Sequence, residues 1–444
     1  MDIKIPRYVS AVLDVLSKNE YEAYIVGGCV RDSLMDKFPH DYDVCTNCTP
    51  SEMVRIFNNF HTIETGLKHG TLTVMSEHMP VEITTYRSDG EYTDHRRPDT
   101  IKFETELRED LRRRDFTINA MCFNPDEGIV DMFEGEKDLE LRVIRCVGKA
   151  EERFEEDALR IMRALRFAAV LDFSIEENTS LAMRKKAHLL NAISAERIFT
   201  ELKKLICGKA ARRILLEYSD LIALIIPEIA PCIGCAQNNI HHCYDVYEHI
   251  CRSVESIEPN DELRLTMLFH DIGKPQKKTT DEDGQDHFKL HQLASADIAE
   301  QVLTRLKSSK KTLDMVTSLV REHDNRVPPK RRSLKRFIAK YDYDFFEAWL
   351  KVRRADTLAQ SDYMRAEKLA ELDELARLGE EIKADMCCLK VIDLAINGHD
   401  VMSMGYKGAE IKTVLNFALD AVIDEVSENE HDTLMDYVKE NFHV

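Results

Sequence analysis

The stretch YEAYIVGGCVRD, residues 21–32, decides how the first part of the chain folds. Its first half is apolar and aromatic, as in a buried strand, and the paired glycines Gly27 and Gly28 mark a turn into a helix. Glycines at such a turn let backbone N–H groups approach a phosphate at the helix N-terminus. The same turn also serves as a plain strand-to-helix connection, so by itself it leaves both interpretations open.

Further strand-like runs follow in the N-terminal third, each rich in apolar and β-branched residues. They are HDYDVCT (40–46), TLTVMS (71–76), VEITTYR (81–87) and IKFET (101–105). From about residue 150 onward the hydrophobic spacing is helical almost throughout. The sequence therefore predicts an α+β protein, with a small mixed α/β head followed by an all-α neck, body and tail.

Composition limits the classes of protein that remain. A chain of 444 residues is long enough for roughly two to four domains. Its formal charge of −19 argues against a generally basic nucleic-acid binder, so any such contact must be local. No run of about 18 apolar residues occurs, and the twelve cysteines follow no regular framework. We therefore expect a cytoplasmic protein without a membrane partner.

Carboxylates in two of the predicted strands form a candidate metal site. Asp41 and Asp43 are two residues apart, so in a strand both side chains leave the same face. Paired carboxylates beside a phosphate suit Mg²⁺, which keeps several of its waters. Glu82 lies within another β-branched run, where it either faces solvent or joins the metal site. An isolated Asp-x-Asp is also common in a polar turn at the end of a strand.

The segment EEDALRIMRALRFAAV, residues 155–170, has helical spacing and predicts one continuous helix. On it, Asp157 and Arg160 are three residues apart and therefore on nearly the same face, with Arg163 and Arg166 beside them. A carboxylate next to a guanidinium is either an intrahelical ion pair or a pair of hydrogen-bonding groups for a ligand.

Histidines and aspartates recur on the predicted helices of the second half. Imidazole and carboxylate together suit a divalent metal, although a single histidine is more often a buried structural residue. The candidate ligands are His249, His270, Asp271, His291, His323 and Asp356. A zinc alternative is raised by Cys232 and Cys235 together with His241, His242 and Cys243, and we disfavour it because the second half-site is poorly spaced.

The order of these motifs resembles a known family. GGCVRD, DYD, VEITTYR, DGEYTDHRRPD (89–99), RRRDFTINAM, EDALRIMRALRF and SAERIFTELKKLI occur in the order found in class II tRNA nucleotidyltransferases, which are the CCA-adding enzymes and their poly(A) polymerase relatives. Residues of about 240–360 resemble the HD-domain metal-dependent phosphohydrolases. The resemblance implies a nucleotidyltransferase head (1–145), a helical neck with base-recognition and tRNA-binding motifs (146–225), an HD domain (226–360) and a tRNA-binding tail (361–444).

The resemblance also implies roles for individual residues. Asp41 and Asp43 would be the catalytic Mg²⁺ ligands, supported by Glu82. Asp157 and Arg160 would read the base, because carboxylate and guanidinium complement the edge shared by cytosine and adenine. The remaining nucleotide-binding residues would be Gly27, Gly28, Arg31, Arg114, Asp115, Asn119, Arg163 and Arg166. Arg96, Arg97 and Asp99 would belong to a flexible loop needed for adding A after C.

In the second half, His249, His270, Asp271 and Asp356 would hold one divalent metal of unknown identity. His291 and His323 would hold a second metal or bind phosphate. Gly405, Lys407 and Gly408 in the tail are placed to touch an RNA phosphate, or they form a plain connection between helices.

The expected activity is template-independent addition of CCA to the 3′ end of tRNA from CTP and ATP, together with a phosphatase or phosphodiesterase activity of the HD domain. We expect a monomer or a homodimer. The alternatives are an A-adding enzyme, a bacterial poly(A) polymerase, and, from a different class, an HD phosphohydrolase with an inactive head.

Overall fold

The computed structural model describes residues 3–90 and 101–442. The chain divides into two compact units, Met1–Pro227 and Glu228–Val444. The first unit contains the mixed α/β head and several helices, and the second is almost wholly helical. The predicted α+β class, with a small head followed by a helical body, is confirmed.

A seven-stranded sheet organises the head, in the order β3-β4-β5-β2-β1-β8-β9. Its strands are β1 (Ala23–Val26), β2 (Asp43–Thr46), β3 (His61–Ile63), β4 (Thr71–Ser76), β5 (Met79–Thr85), β8 (Met121–Asn124) and β9 (Gly128–Asp131). The other strands of the described residues form separate two-stranded pairs. They are β6 (Arg87–Asp89) with β7 (Ile101–Phe103), β10 (Val143–Ile144) with β11 (Ser174–Ile175), and β12 (Thr279–Thr280) with β13 (Asp286–His287). Each of the five predicted runs contains one of these strands.

Alternating side chains of β2 separate two apolar clusters. Val44 belongs to a cluster that includes Val12 and Met53, whereas Cys45 belongs to a second one with Leu107 and Leu111. By the same alternation Asp43, the first residue of the strand, leaves the sheet on the same face as Cys45. The apolar residues of β2 thereby fix the direction in which its first carboxylate points.

Helices of the first unit either flank the sheet or follow it. They are α1 (Arg7–Lys18), α2 (Gly28–Leu34), α3 (Pro50–Ile56), α4 (Leu107–Arg112), α5 (Gly135–Leu141), α6 (Ala150–Glu156), α7 (Leu159–Leu171), α8 (Glu177–Lys186), α9 (Ala195–Ile206), α10 (Ala211–Glu217) and α11 (Ser219–Ile225). Short 3₁₀ helices span Leu67–His69, Thr117–Asn119, Ala187–Ala192, Pro227–Cys232 and Val391–Asp393. The fourth of these begins at the last residue of the first unit, and the fifth lies in the second unit.

The second unit is built from helices α12 (Val246–Glu255), α13 (Asp261–Phe269), α14 (Lys274–Lys277), α15 (His291–Arg305), α16 (Lys310–Glu322), α17 (Arg331–Tyr341), α18 (Tyr343–Ala359), α19 (Arg365–Ala384), α20 (Gly398–Ser403), α21 (Ala409–Ile423) and α22 (His431–Asn441). Buried apolar residues such as Leu268, Leu319 and Trp349 hold the first of these together. A separate apolar cluster, with Val401, Val414 and Leu434, holds the last ones. Among the described residues, no helix is both long and apolar enough to cross a membrane.

Candidate active sites

Three carboxylates gather at one point of the head sheet. β2 and β5 pair in parallel with Asp43 opposite Glu82, and Asp41 comes two residues before Asp43. Burial first, and then the negative charges of Asp41 and Glu82, raise the pKa of Asp43 to about 6, although Arg114 opposes this shift. Carboxylates whose charges repel in this way suit a divalent cation, and oxygen donors suit Mg²⁺.

The glycine turn brings the head's arginines close to these carboxylates. Gly27 has φ +82° and ψ −124°, a conformation open essentially to glycine alone, and it precedes α2. A Cβ atom on Gly27 would lie 3.0 Å from Nη1 of Arg114. Arg114 is also close enough to Asp43 to lower the pKa of that carboxyl. The turn therefore leaves room for a guanidinium beside the three carboxylates.

A hydrogen-bonded chain links four of the predicted nucleotide-binding residues. Arg31 donates from Nη1 to Oδ1 of Asn119 at 2.6 Å, and Asn119 donates from Nδ2 to Asp115 at 3.2 Å. Arg163 donates from Nε to the other oxygen of Asp115 at 2.8 Å. Burial opposes ionisation of Asp115, yet Arg163 holds its pKa at about 2. These hydrogen bonds fix the positions of the two guanidinium groups relative to each other.

The predicted continuous helix over residues 155–170 is wrong at one point, because the chain breaks between α6 and α7. Asp157 has φ −133° and ψ 100°, which is extended backbone, so Asp157 and Arg160 do not share a helix face. Asp157 instead accepts from the backbone N–H of Leu159 at 3.0 Å and from Nη2 of Arg197 at 3.0 Å. The break thus releases the Asp157 carboxylate from the helix and ties it to α9.

Arg160 is buried and held by its own surroundings. Its Nη1 donates to the carboxylate of Glu156 at 2.6 Å, and its Nη2 donates to the carbonyl oxygen of Arg113 at 2.8 Å. The anticipated pair between Arg160 and Asp157 is replaced by separate partners for each residue. These bonds set the orientation of the Arg160 guanidinium.

Two residues on α9 belong to this site and were missed from the sequence. Arg197 holds Asp157, and Glu201 pairs with Nε of Arg166 at 2.6 Å. Arg166 also lies over the ring of Phe167, 3.8 Å from its centroid. Arg197 and Glu201 are four residues apart on a helix whose other inward residues are apolar, and this pair of charges was the available signal.

All six predicted metal ligands of the second unit converge. His249, His270, Asp271 and Asp356 form one group whose ligand atoms lie within 4.8 Å of one another, and Asp271, His291 and His323 form another. Among the described residues these are the groups that meet this criterion, and the head carboxylates are more widely spaced. The ligands come from α12, α15 and α18 and from the residues that follow α13 and α16.

Each of the four histidines uses Nδ1 to donate to a backbone carbonyl, which leaves Nε2 as the ligand atom. The acceptors are Ala359 for His249 (3.2 Å), Met267 for His270 (2.8 Å), Phe288 for His291 (2.8 Å) and Val320 for His323 (2.7 Å). The Nε2 atoms then face one another in two pairs, with 3.1 Å between those of His249 and His270 and 3.2 Å between those of His291 and His323. Burial opposes protonation, but Asp271 and Asp356 raise the pKa of His270 to about 10. The two carboxylates thus favour a positive charge among the Nε2 atoms, and a divalent cation would supply it.

Asp271 lies between the two groups. Its Oδ2 is 3.1 Å from Nε2 of His249, and its Oδ1 is 3.1 Å from Nε2 of His291. Each oxygen of Asp271 thus faces a different ligand group, so this one carboxylate would serve both groups. Lys274, which was missed from the sequence although it lies three residues after Asp271, is buried with Nζ 2.7 Å from Oδ2 of Asp271. It supplies a positive charge at the edge of the cluster.

The remaining predicted sites have different outcomes. The loop residues Arg96, Arg97 and Asp99 lie outside the described part of the chain. Cys232 contacts the carbonyl oxygen of Ile272 and belongs to neither of the two ligand groups. In the tail, the segment that contains Lys407 connects α20 to α21 and includes two glycines with positive φ.

Comparison with known families matches three parts of the chain. Residues 23–145 match the Poly A polymerase head domain. Residues 172–233 match the "Probable RNA and SrmB- binding site of polymerase A", and residues 239–393 match the HD domain. The HD match extends beyond residue 360, where we expected that domain to end.

Individual relatives point the same way. The CCA-adding enzyme of Lactococcus lactis subsp. cremoris (strain MG1363) is 52% identical over 204 residues, which are 45% of this chain and 50% of the relative. That of Oceanobacillus iheyensis is 48% identical over 212 residues, 48% of this chain and 52% of the relative. The chain spans about half the length of the curated relatives it matches.

Solved structures are similar over almost the whole chain. The crystal structure of the Bacillus stearothermophilus CCA-adding enzyme in complex with CTP is 27% identical, with a TM-score of 0.70 and 98% of each chain covered. The Thermotoga maritima CCA-adding enzyme complexed with tRNA_CCA shares the fold at 18% identity, with a TM-score of 0.62, and the match covers all of this chain and 97% of that one. The chain thus combines a segment that matches the Poly A polymerase head domain with one that matches the HD domain, and it is similar in fold to CCA-adding enzymes over almost its whole length.

Proposed function

We propose that the chain adds CCA to the 3′ end of tRNA from CTP and ATP without a nucleic-acid template. The observation that carries this proposal is the register that places Asp43 opposite Glu82, next to Asp41 and Arg114. Similarity to CCA-adding enzymes that were solved with CTP and with tRNA supports the choice of substrates. A cytoplasmic location, expected from the sequence, agrees with a tRNA substrate.

In this reaction the 3′-hydroxyl oxygen of the tRNA forms a bond to the α-phosphorus of the nucleotide. The bond from that phosphorus to the bridging oxygen breaks, pyrophosphate leaves, and the hydroxyl proton passes to solvent or to a carboxylate. Asp41 and Asp43 would hold Mg²⁺, which lowers the pKa of the attacking hydroxyl and neutralises the leaving charge. Arg31 and Arg114 supply guanidinium donors for the triphosphate next to the glycine turn.

The base would be selected at the break between α6 and α7. The Asp157 carboxylate accepts a hydrogen bond from the exocyclic amine that cytosine and adenine share. Guanine and uracil present a carbonyl oxygen there, so the partly buried carboxylate would face another acceptor. Arg197 and the backbone N–H of Leu159 hold the carboxylate in place before the base arrives. Arg160, fixed by Glu156, would donate to the ring nitrogen beside the amine.

The test is extension of a tRNA that lacks CCA, with CTP and ATP supplied singly and together. We expect two C additions followed by one A, and loss of all three in Asp43→Ala. A tract of A from ATP alone would indicate a poly(A) polymerase. Activity restricted to tRNA ending in CC would indicate an A-adding enzyme.

The alternative from a different class, a phosphohydrolase with an inactive head, predicts that Asp41→Ala leaves the physiological activity unchanged. The Asp271→Ala variant distinguishes the two centres, because CCA addition should continue without it. If Asp271→Ala abolishes CCA addition while Asp43→Ala retains it, the proposed division between the two centres is wrong.

For the HD domain we propose metal-dependent hydrolysis of a phosphate ester. The oxygen of a water molecule forms a bond to phosphorus, the ester P–O bond breaks, and the leaving oxygen takes a proton. The six ligands would hold one or two divalent cations, which supply Lewis acidity and an ionised water. Asp271 belongs to both ligand groups, and Lys274 adds a positive charge beside it, which would favour a phosphate.

The HD activity is tested by phosphate release from nucleotide substrates in the presence of Mg²⁺, Mn²⁺, Co²⁺ or Ni²⁺ in turn. We expect release with at least one of these metals and none from the Asp271→Ala variant. Equal release from both proteins would assign the activity to a contaminant.

A further inference from the structure

Cations surround the Asp356 side of the HD centre, apart from its ligands. Lys368 donates from Nζ to Oε1 of Gln360 at 2.7 Å, and Gln360 donates from Nε2 to both oxygens of Asp356 at 3.1 Å. The Lys368 ammonium is therefore two hydrogen bonds away from a metal ligand. Arg353 donates to the carbonyl oxygens of His323 and Asn325, at 3.1 and 3.0 Å.

Four cations beside Asp356, namely Arg326, Arg353, Arg365 and Lys368, form what we call the rim, and they are close enough to repel one another. Partial burial, together with the charges of Arg326, Arg353 and Arg365, lowers the pKa of Lys368, while Asp356 opposes the shift. Burial and the charges of Lys368 and Arg326 likewise lower the pKa of His241. Arg365 has Asp362 as an acidic partner, whereas Arg326 is exposed. Two carboxylates, Asp356 and Asp362, accompany the four cations Arg326, Arg353, Arg365 and Lys368, and such a majority of positive charge suits an anion.

An aromatic pair lies beside the same rim. His241 and Tyr363 are in edge contact, with centroids 5.2 Å apart, and Tyr363 is 46% exposed. Ser361 fixes this pair, because it donates from its backbone N–H to the carbonyl of His241 at 2.9 Å and from Oγ to that of Ile240 at 2.6 Å. An exposed ring next to cations is the arrangement on which nucleobases stack while their phosphates are held.

We propose that the HD centre acts on nucleotides that carry a second phosphate. The scissile phosphate lies at the ligand cluster, Arg326 and Lys368 hold the second phosphate, and Tyr363 receives the base. This inference rests on the hydrolysis proposed above for the same centre and adds the class of its substrate. The ligands and Lys274 alone would serve a simple phosphomonoester, and the rim adds charge that such a substrate does not require.

The test compares uridine 3′,5′-bisphosphate with uridine 3′-monophosphate, because the proposed base selection of the head excludes uridine. Uridine 5′-diphosphate is a third substrate and separates an anhydride-linked second phosphate from one across the ribose. Phosphate release is measured for the full chain, for Arg326→Gln, for Lys368→Gln and for the matched control Lys311→Gln. Lys311 is an exposed lysine on α16 that lies outside the rim.

We expect KM for the bisphosphate to be about 10-fold lower than for the monophosphate, as a charge-assisted contact predicts. Each rim variant should raise that KM about 10-fold, with kcat and the monophosphate constants changed less than about 2-fold. A loss of kcat on all substrates in Lys368→Gln would instead show that Lys368 only positions Asp356 through Gln360. Equal KM values for the two uridine nucleotides, or an equal effect of Lys311→Gln, would overturn the inference.

If no metal supports phosphate release, the proposed hydrolysis fails, and the binding preference is then decided by calorimetry. Titration of the same full-length proteins with the two uridine nucleotides should show tighter binding of the bisphosphate, lost in the rim variants. Equal affinities there would overturn the inference independently of hydrolysis.

Discussion

Replacement of Arg197 by alanine should relax base selection more than it slows catalysis. The Asp157 carboxylate has one oxygen bonded to the backbone of Leu159 and the other to Arg197 at 3.0 Å. Without Arg197, the carboxylate keeps one anchor and gains freedom to rotate towards a base of the wrong polarity. A charge-assisted hydrogen bond to a buried group contributes about 1.5–3 kcal/mol, and the partial exposure of this pair reduces the estimate to about 1–2 kcal/mol.

That energy corresponds to a loss of roughly 5- to 30-fold in the ratio of kcat/KM for CTP to kcat/KM for UTP. The assay is single-nucleotide extension of a tRNA lacking CCA, with each nucleotide varied separately. Arg213→Ala is the matched control, since Arg213 pairs with Asp172 at 3.2 Å in the same unit but away from the site. If Arg197→Ala keeps the ratio within 2-fold of the unmodified chain, or if Arg213→Ala lowers it equally, this account of the Asp157 anchor is refuted.

Three further outcomes follow from the structure. The pKa of Asp115 is held at about 2, below its usual value, so the ionised carboxylate stabilises the fold above about pH 4 and this stabilisation is lost as the pH falls through 2. Asp115→Asn should therefore be less stable than the unmodified chain by about 2 kcal/mol at pH 7, with a smaller difference at pH 3. Thermal unfolding at the two pH values measures both differences. Asp271→Asn should lose bound metal from both ligand groups, as measured by elemental analysis, at an unchanged rate of CTP incorporation, and retention of one ion per chain would contradict a bridging role. Gly27→Ala should weaken CTP binding at least about 10-fold, because its added Cβ would meet Arg114. Gly128→Ala is the control, since Gly128 has the same φ of +82° but no atom lies near its added Cβ, and it should leave CTP binding unchanged. An equal effect of the two substitutions would rule out the contact with Arg114 as the cause.

The strands of the head were predictable because their signal is local. Apolar and β-branched residues in TLTVMS and VEITTYR already alternate between the two faces of the sheet. The break at Asp157 was not predictable, because the apolar spacing continues through it and the interaction that fixes it comes from Arg197, forty residues further along the chain. Periodicity reports which residues are buried, and it does not report where a helix is interrupted.

In the second unit, the sequence identified the ligands by type and order but not their arrangement. The shared position of Asp271 depends on the packing of helices that are distant in sequence, as does the inward direction of Lys274. The backbone acceptors of the four histidines are also invisible in the sequence, because any residue provides a carbonyl oxygen. Such contacts emerge only when the helices are assembled.

The parallel pairing of β2 with β5 limits how this gene can vary. Asp43 and Glu82 are neighbours only in the observed register, and successive side chains of a strand point to opposite faces. An insertion of one residue within either strand would turn its carboxylate to the opposite face of the sheet. An insertion in the segment between β2 and β3 would leave Asp43 opposite Glu82. Length variation among homologues should therefore accumulate in the connections and be absent from these two strands, even where the sequence of the strands has changed.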